Sequence, residues 1–290
     1  MPASVLERHH VQVAGRGPRT LVFAHGFGCN QRMWRFVAPA FERDFRVVRF
    51  DLAGAGAARR AWDPVRHATL DGYATDLLAI LDALDLRDAT VVGHSVSATV
   101  AMLAAIRSSR RIGRLVMVGP SPCYADDPPG YVGGFARADL EALLDLMERN
   151  YRAWVEALAP TIVGTDETGT AIEARTLELR DSILATDPAV IRAFARATFL
   201  EDHRAAVPHL PVPALVVQCT DDAIAPEQVG RWLHARLPRA TYHQLAAAGH
   251  CPHLTHPEEL VAAIRRHLAP RVVVAPPAYR SAPRPGVFVS

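Results

Sequence analysis

The sequence predicts an α/β protein in which helices cover a mostly parallel β-sheet. Short runs rich in β-branched residues alternate with longer stretches of helical periodicity, which is typical of strands joined by helical crossovers. The 290 residues are enough for one large domain or two smaller ones with a full apolar core. Strands are expected over residues 11–14, 20–24, 46–51, 90–93, 114–118, 214–218 and 241–245, and helices over 31–41, 70–84, 96–108, 226–237 and 257–267.

This alternation is interrupted by a helical insertion at residues 124–204. Four helical patterns follow one another there without a strand pattern between them, at 137–149, 151–158, 171–184 and 188–198. Such an insertion is expected to form a cap over one sheet edge, with residues 1–123 and 205–270 as the core domain. Residues 271–290 are rich in proline and lack an amphipathic period, which predicts a flexible tail.

The composition excludes several classes of function. Lys and Arg number 32 against 30 for Asp and Glu, so the net charge of +2 does not indicate nucleic acid or an anionic membrane as partner. The chain has no lysine, which excludes Schiff-base and P-loop chemistry. No apolar run reaches the ~20 residues of a membrane span. The four dispersed cysteines, and a first segment unlike a signal peptide, predict reduced thiols and a cytoplasmic location.

A candidate nucleophile lies where the fourth predicted strand turns into a helix. The turn Gly93-His94-Ser95-Val96-Ser97 is close to the G-x-S-x-G pattern, whose strained turn exposes the serine Oγ above a sheet. Ser97 stands in the place of the last glycine, so two of the three fixed positions match. The alternative is that Ser95 only caps the helix, but the apolar strand and helix on either side favour a nucleophile.

The base and the acid that a serine nucleophile needs follow later in the chain, in the order that hydrolase sheets use. Asp221 and Asp222 follow the sixth predicted strand, and His250 follows the seventh. Because neighbouring strand-end loops adjoin, an aspartate can reach one nitrogen of His250 while the other faces Ser95. On this reasoning either aspartate could be the acid, and either could be a solvated turn residue.

Two backbone N–H groups are expected to form an oxyanion hole. Val96 supplies the first, directly after the candidate nucleophile. Phe27 supplies the second, in the turn His25-Gly26-Phe27-Gly28 that follows the second predicted strand. Glycines allow this turn to fold over a pocket without steric cost.

Two other motifs suggest different chemistry, and neither is the preferred interpretation. Residues 250–256 hold three histidines and a cysteine, but two prolines disfavour a regular helix through them, so no metal is expected. His253 and His256 are interpreted as ordinary polar residues at the start of the last helix. Residues 54–56 begin a dinucleotide-binding pattern without its third glycine or a following apolar helix, so they are interpreted as a structural turn and no cofactor is expected.

On these residues the chain resembles an α/β-hydrolase, and within that family the group that contains the bacterial stress regulator RsbQ and the plant strigolactone and karrikin receptors. The resemblance covers about residues 5–268 and is most specific at 26–31, 118–124, 133–135, 150–154 and 249–253. It implies a mostly parallel eight-stranded sheet with an inserted four-helix cap. It also implies the triad Ser95, Asp222 and His250, and so favours Asp222 over Asp221.

The resemblance further implies a deep apolar pocket beneath the cap. The positions that match its lining are Phe27, Val96, Phe135, Trp154, Leu158, Phe199 and Ile224. Leu158 and Ile224 differ from the plant receptors, which have an aromatic residue and a serine there, so the ligands of those receptors are not transferred. For each aromatic residue, packing between cap and core is an equal alternative to ligand contact.

Two functions are therefore expected. The first is a serine hydrolase for a small apolar ester or lactone, since a serine at the turn argues against dehalogenase and epoxide-hydrolase chemistry, which need a carboxylate nucleophile. The second is a signalling protein, active in a stress response, that binds or slowly hydrolyses a small molecule. The resemblance to RsbQ implies a PAS-domain phosphatase, or another signalling protein, as its partner. The two are compatible, because a slow hydrolase can act as a receptor.

Overall fold

The sheet organises the molecule in the computed structural model, which describes residues 3–164 and 170–269. Within these ranges it consists of β1 (Gln12–Ala14), β2 (Arg19–Ala24), β3 (Phe45–Arg49), β4 (Ala89–His94), β5 (Ile112–Val118), β6 (Ala214–Asp221) and β7 (Ala240–Ala248). The strand order is β1-β3-β2-β4-β5-β6-β7. β1 is antiparallel to β3, and every other neighbouring pair is parallel.

The predicted fold class is confirmed, but the sheet has seven strands in the described part of the chain and not the expected eight. The segment before β1, for which no element was predicted, forms helix α1 (Val5–Arg8). A capping box stabilises this helix: the hydroxyl of Ser4 accepts from the N–H of Glu7 at 3.3 Å, and the N–H of Ser4 donates to the Glu7 carboxylate at 2.7 Å.

Helices cover both faces of the sheet. The α-helices of the described ranges are α1, α2 (Leu70–Ala83), α3 (Val96–Arg107), α4 (Arg137–Arg149), α5 (Tyr151–Val163), α6 (Thr170–Leu184), α7 (Pro188–Leu200), α8 (Glu227–Arg236), α9 (Pro252–Thr255) and α10 (Pro257–Leu268). Successive strand residues point to opposite faces. Val91 therefore belongs to the apolar cluster with α2 and α3, and Val92 to the cluster with α10. This explains why β4 is buried along its whole length rather than at alternate residues.

The helices α4 to α7 follow one another between β5 and β6, as the insertion pattern predicts. An ion pair links α6 to the core, in which the Arg35 guanidinium donates to both Glu178 carboxylate oxygens at 2.9 and 2.6 Å. Asn30 also donates to the Ser182 hydroxyl, at 3.3 Å. The division between core and cap at residues 124 and 204 remains a prediction, and the predicted tail at 271–290 lies outside the described residues.

One predicted helix is wrong. Residues 31–41 form two short 3₁₀ helices, Gln31–Trp34 and Ala38–Phe41, instead of one α-helix. Pro39 lacks the N–H that a continuous helix would use, and its ring would clash with the preceding turn. None of the helices in the described ranges combines the length and the apolar composition that crossing a membrane requires.

Candidate active site

Ser95 lies in a strained turn between β4 and α3. Its backbone has φ 55° and ψ −126°, a region that residues with a side chain rarely adopt. The N–H of Ser95 donates to the carbonyl of Val118 at 2.8 Å, which anchors the turn to β5. A Cβ at Gly93 would lie 2.5 Å from the carbonyl oxygen of Ser97, so only glycine allows strand and helix to approach this closely.

The serine in place of the expected third glycine has a contact of its own. Ser97 is fully buried, and its hydroxyl donates to the carbonyl oxygen of His25 at 2.5 Å. This bond connects the first turn of α3 to the loop that carries Phe27. The missing glycine therefore leaves the turn intact and adds a connection to the neighbouring loop.

The structure brings Ser95, Asp222 and His250 together, and all three are buried. Nε2 of His250 lies 2.7 Å from Ser95 Oγ, and Nδ1 lies 2.8 Å from Oδ2 of Asp222. With Nδ1–H donating to the carboxylate, Nε2 is left to accept the serine proton. The arrangement can therefore convert a weakly nucleophilic hydroxyl into an attacking group.

Asp222, and not Asp221, occupies the position of the acid. Its Oδ1 accepts the N–H groups of Ile224 and Ala225, each at 2.9 Å, so the carboxylate is held in one orientation. Asp221 is the last residue of β6 and is exposed. The alternative that sequence reasoning left open between the two aspartates is thus answered by geometry.

The two expected oxyanion donors are available. In the described part of the chain, neither the N–H of Phe27 nor that of Val96 has a hydrogen-bond acceptor. The loop of Phe27 is fixed by His25, whose Nε2 accepts from the N–H of Leu52 at 3.0 Å and whose Nδ1 donates to the carbonyl of Gly26 at 3.0 Å. Free N–H groups on fixed backbone are suited to stabilising developing negative charge.

A small cavity adjoins Ser95. Its volume is about 10 Å³, which is room for roughly one water molecule. The cavity is lined by Phe27, His94, Ser95, Tyr124, Ile162, Thr198, Phe199, Ile224 and His250. The surface that its wall exposes is mostly apolar, although five of the nine residues have polar side chains. The volume is far below the roughly 300 Å³ of a small-molecule pocket, so the expectation of a deep pocket is wrong for the described part of the chain.

The expected pocket residues divide into two groups. Phe27, Phe199 and Ile224 line this cavity, whereas Val96, Trp154, Leu158 and Phe135 are not among its lining residues. Val96, Trp154 and Leu158 are buried, and Phe135 is partly buried. The Trp154 ring packs edge-on against that of Phe27, with centroids 6.2 Å apart, so it supports the wall from behind.

Sequence reasoning did not assign a role to four residues of the cavity wall, His94, Tyr124, Ile162 and Thr198. The Tyr124 hydroxyl lies 3.3 Å from Ser95 Oγ. Burial raises the pKa of Tyr124 to about 12, so the hydroxyl stays protonated near neutral pH. Tyr124 is the last residue of the stretch 118–124, which carries part of the family resemblance, and this position could have indicated a role in the site. Thr198 ends the helical pattern predicted at 188–198, whereas Ile162 lies beyond the pattern at 151–158, because the observed helix α5 extends to Val163.

A second group of potential ligands lies beside the triad. His94, Cys251 and His253 are buried, and their metal-binding atoms lie within 4.8 Å of one another. Burial lowers the pKa of His94, lowers that of His253 to about 3 and raises that of the Cys251 thiol. For the three side chains alone, these directions favour neutral imidazoles and a protonated thiol.

The expectation that His253 is an ordinary polar residue at a helix start is wrong. Its ring is fully buried against Trp34, with centroids 4.9 Å apart, and 4.3 Å from the ring of His94. The two prolines around it produce a separate short helix, α9, that turns His253 inward. His256 lies between α9 and α10 and does not belong to the cluster.

Comparison with known proteins identifies the family of the chain. The family described as "Alpha/beta hydrolase family" matches residues 21–263. A strigolactone esterase of Arabidopsis thaliana is 36% identical over 267 residues, which are 91% of this chain and 98% of that protein. A karrikin insensitive 2 receptor of Petunia hybrida is 35% identical over 266 residues, 91% and 97% of the two chains.

A solved structure is similar over the same length. The chain matches a hydrolase from Oleispira antarctica with a TM-score of 0.88 and 37% identity, covering 92% of this chain and 98% of that one. The resemblance to the strigolactone and karrikin group that the sequence motifs suggest is thereby confirmed. The chain belongs to the α/β hydrolase family.

Proposed function

We propose that the chain is a serine hydrolase that cleaves a small, mostly apolar ester or lactone. Its relatives are named as esterases and hydrolases, and it is an enzyme of the ester-hydrolase type. The observation that carries the proposed mechanism is the pair of hydrogen bonds that joins Ser95 Oγ to His250 and His250 to Asp222.

The mechanism follows from these contacts. Ser95 Oγ attacks the carbonyl carbon while Nε2 of His250 takes the serine proton, and Asp222 stabilises the resulting imidazolium. The N–H groups of Phe27 and Val96 bind the oxyanion. His250 then gives its proton to the leaving alkoxide, which yields an acyl-serine and an alcohol. Water, deprotonated by His250, attacks the acyl-serine and releases the acid, which restores Ser95.

The substrate class is inferred from the cavity wall. Phe27, Ile162, Phe199 and Ile224 present apolar side chains, and a charged substrate would lose its hydration there without a partner of opposite charge. The cavity has room for about one water molecule, so an ester or lactone requires the pocket to widen as the substrate enters. Small, neutral esters and lactones require the least widening and carry no charge into the apolar wall.

Hydrolysis of p-nitrophenyl butyrate tests this proposal. We expect Ser95-dependent release of p-nitrophenol, and a loss of at least about 10⁴-fold in kcat for Ser95→Ala. Ser108→Ala, at the far end of α3, is the matched control and should retain the wild-type rate. No turnover by the wild type, or equal turnover by Ser95→Ala, would contradict the proposal.

A second function is proposed because one of the similar proteins is named a receptor. In this proposal the chain binds or slowly hydrolyses its ligand in a stress response and then activates a PAS-domain phosphatase. Phosphatase activity of such a protein from the same host is measured with and without the chain and a small-molecule extract. A rise that requires both additions is expected, and unchanged activity in every combination would contradict this function.

A further inference from the structure

The hydroxyl of Thr198 is a buried polar group that has no hydrogen-bond partner among the described residues. Thr198 lies in α7, is 4% exposed and lines the cavity beside Ser95. Buried hydroxyls in folded proteins are normally hydrogen-bonded, because leaving one unpaired loses its hydration without compensation. The unpaired hydroxyl of Thr198 therefore requires an explanation.

Other threonines in or next to helices of this chain make a hydrogen bond to their own helix that Thr198 lacks. The hydroxyls of Thr75, Thr161, Thr186 and Thr255 each donate to the carbonyl four residues earlier, at 2.8, 3.3, 3.1 and 3.3 Å. This is the usual local solution for a helical threonine. Thr198 makes no such bond, so its hydroxyl remains able to donate and to accept.

The other hydroxyls of the cavity wall are already engaged. Ser95 contacts His250, and the Tyr124 hydroxyl contacts Ser95. Nδ1 of His94 is also unpaired, but it lies against Gly26, where a Cβ would come within 2.3 Å of it. Among the described residues of the cavity wall, Thr198 is thus the one whose hydroxyl has no partner.

We propose that Thr198 binds an oxygen of the substrate that lies outside the scissile carboxyl group. The inference rests on the proposed hydrolase function and narrows its substrate class to small esters or lactones with an additional ether, ring or hydroxyl oxygen. A site with a buried hydroxyl discriminates against an analogue that lacks the partner atom, because the hydroxyl then stays unpaired.

Two pairs of near-isosteric substrates test the proposal. One pair is δ-valerolactone and 1,4-dioxan-2-one, and the other is p-nitrophenyl pentanoate and p-nitrophenyl 3-methoxypropanoate. In each pair an oxygen replaces one methylene. The preference is the ratio of kcat/KM for the oxygen-containing member to that for its partner, measured in the wild type, Thr198→Val and Thr198→Ser. Intrinsic reactivity cancels when the ratios of two proteins are compared.

We expect Thr198→Val to reduce this preference about fivefold to tenfold in at least one pair, which is the usual effect of one neutral hydrogen bond. Thr198→Ser keeps the hydroxyl and should keep the preference. The melting temperature of Thr198→Val should not fall, because the lost hydroxyl had no protein partner. If the valine variant does not fold, Thr198→Ala replaces it.

A change of less than about twofold in both pairs would overturn the inference while leaving the hydrolase function intact. Absence of hydrolysis by the wild type, or hydrolysis that survives Ser95→Ala, would instead overturn the proposed function and this inference with it. A lower melting temperature with an unchanged preference would assign Thr198 a purely structural role.

Discussion

The backbone N–H of His250 donates to the carbonyl oxygen of Ile162 at 2.8 Å. Ile162 lies in the last turn of α5, where carbonyls have no partner within the helix. The N–H of His250 therefore supplies a hydrogen bond to a carbonyl at the end of α5, a helix of the insertion. Ile162 and His250 also both line the cavity. The position of His250 depends on the end of α5.

Gly249 makes this contact between loop and helix geometrically feasible. Its φ is +84°, and a Cβ there would lie 2.0 Å from the carbonyl oxygen of Val163. We expect Gly249→Ala to push the loop from α5, lower kcat/KM about 100-fold by misplacing His250, and lower the melting temperature. In the control Gly130→Ala, the added Cβ would meet only the carbonyl oxygen of Asp127, at 3.9 Å. Wild-type kcat/KM in Gly249→Ala would contradict this account.

Asp222→Asn should abolish most of the activity without unfolding the protein. The N–H groups of Ile224 and Ala225 would hold the amide oxygen, so the amide NH₂ would face Nδ1 of His250. That contact places the histidine proton on Nε2, which can no longer accept from Ser95. We expect kcat to fall about 10⁴-fold. Ester hydrolysis and thermal unfolding are measured beside Asp221→Asn, and equal activities of the two variants would refute the assignment of the acid.

Tyr124→Phe tests the contact between the tyrosine hydroxyl and the nucleophile. Ser95 donates to His250, so its oxygen accepts from Tyr124, and removing this bond should lower kcat/KM about threefold to tenfold. The pKa of about 12 means that Tyr124 does not titrate below pH 10, so the pH profile should keep its shape up to that value. Tyr131→Phe is the control, since Tyr131 donates to the carbonyl of Cys123 instead. An unchanged or higher kcat/KM in Tyr124→Phe would contradict the prediction.

His253 should make the folded state sensitive to acid. Because its folded pKa is about 3 and an unfolded histidine has one near 6.5, the unfolded chain binds an extra proton between these values. Lowering the pH from 7 to 5 should therefore reduce the free energy of unfolding by about 2 kcal/mol through this residue.

His253→Phe should remove that loss. Phenylalanine retains an aromatic ring against Trp34, and neither His253 nitrogen has a hydrogen-bond partner in the described chain. Urea unfolding at pH 5, 6 and 7 measures the difference between variant and wild type. As the pH falls from 7 to 5, the free energy of unfolding of the variant should rise by about 2 kcal/mol relative to that of the wild type. A difference that does not change with pH would show that His253 does not titrate as described.

Sequence periodicity predicted most of the sheet and helices because strands and helices bury different repeats of the chain. It failed where Pro39 divided a predicted helix, and it made no prediction for the segment before β1, where Ser4 and Glu7 form a capping box. The eighth strand came from the family resemblance and not from any pattern in this chain. Local sequence alone did not contradict it.

The reacting groups were predictable because strand-end loops converge at one edge of a parallel sheet, which brings Ser95, Asp222 and His250 together. The cavity wall was less predictable. Whether Trp154 faces a ligand or the ring of Phe27 depends on how helices pack across the fold, and periodicity shows only that the residue is buried. For the same reason the sequence did not predict that Thr198 lines the cavity, because that depends on how α7 packs against the core.

The strained backbone of Ser95 sets stability and activity against each other at one residue. Holding a serine at φ 55° and ψ −126° costs of order 1–3 kcal/mol, a large share of the 5–15 kcal/mol that stabilises a typical domain. Glycine would adopt the same backbone with little strain, so selection for stability alone would favour glycine at position 95. The serine therefore lowers the stability of the fold at this turn. Variants that stabilise the turn should be screened for lost hydrolysis.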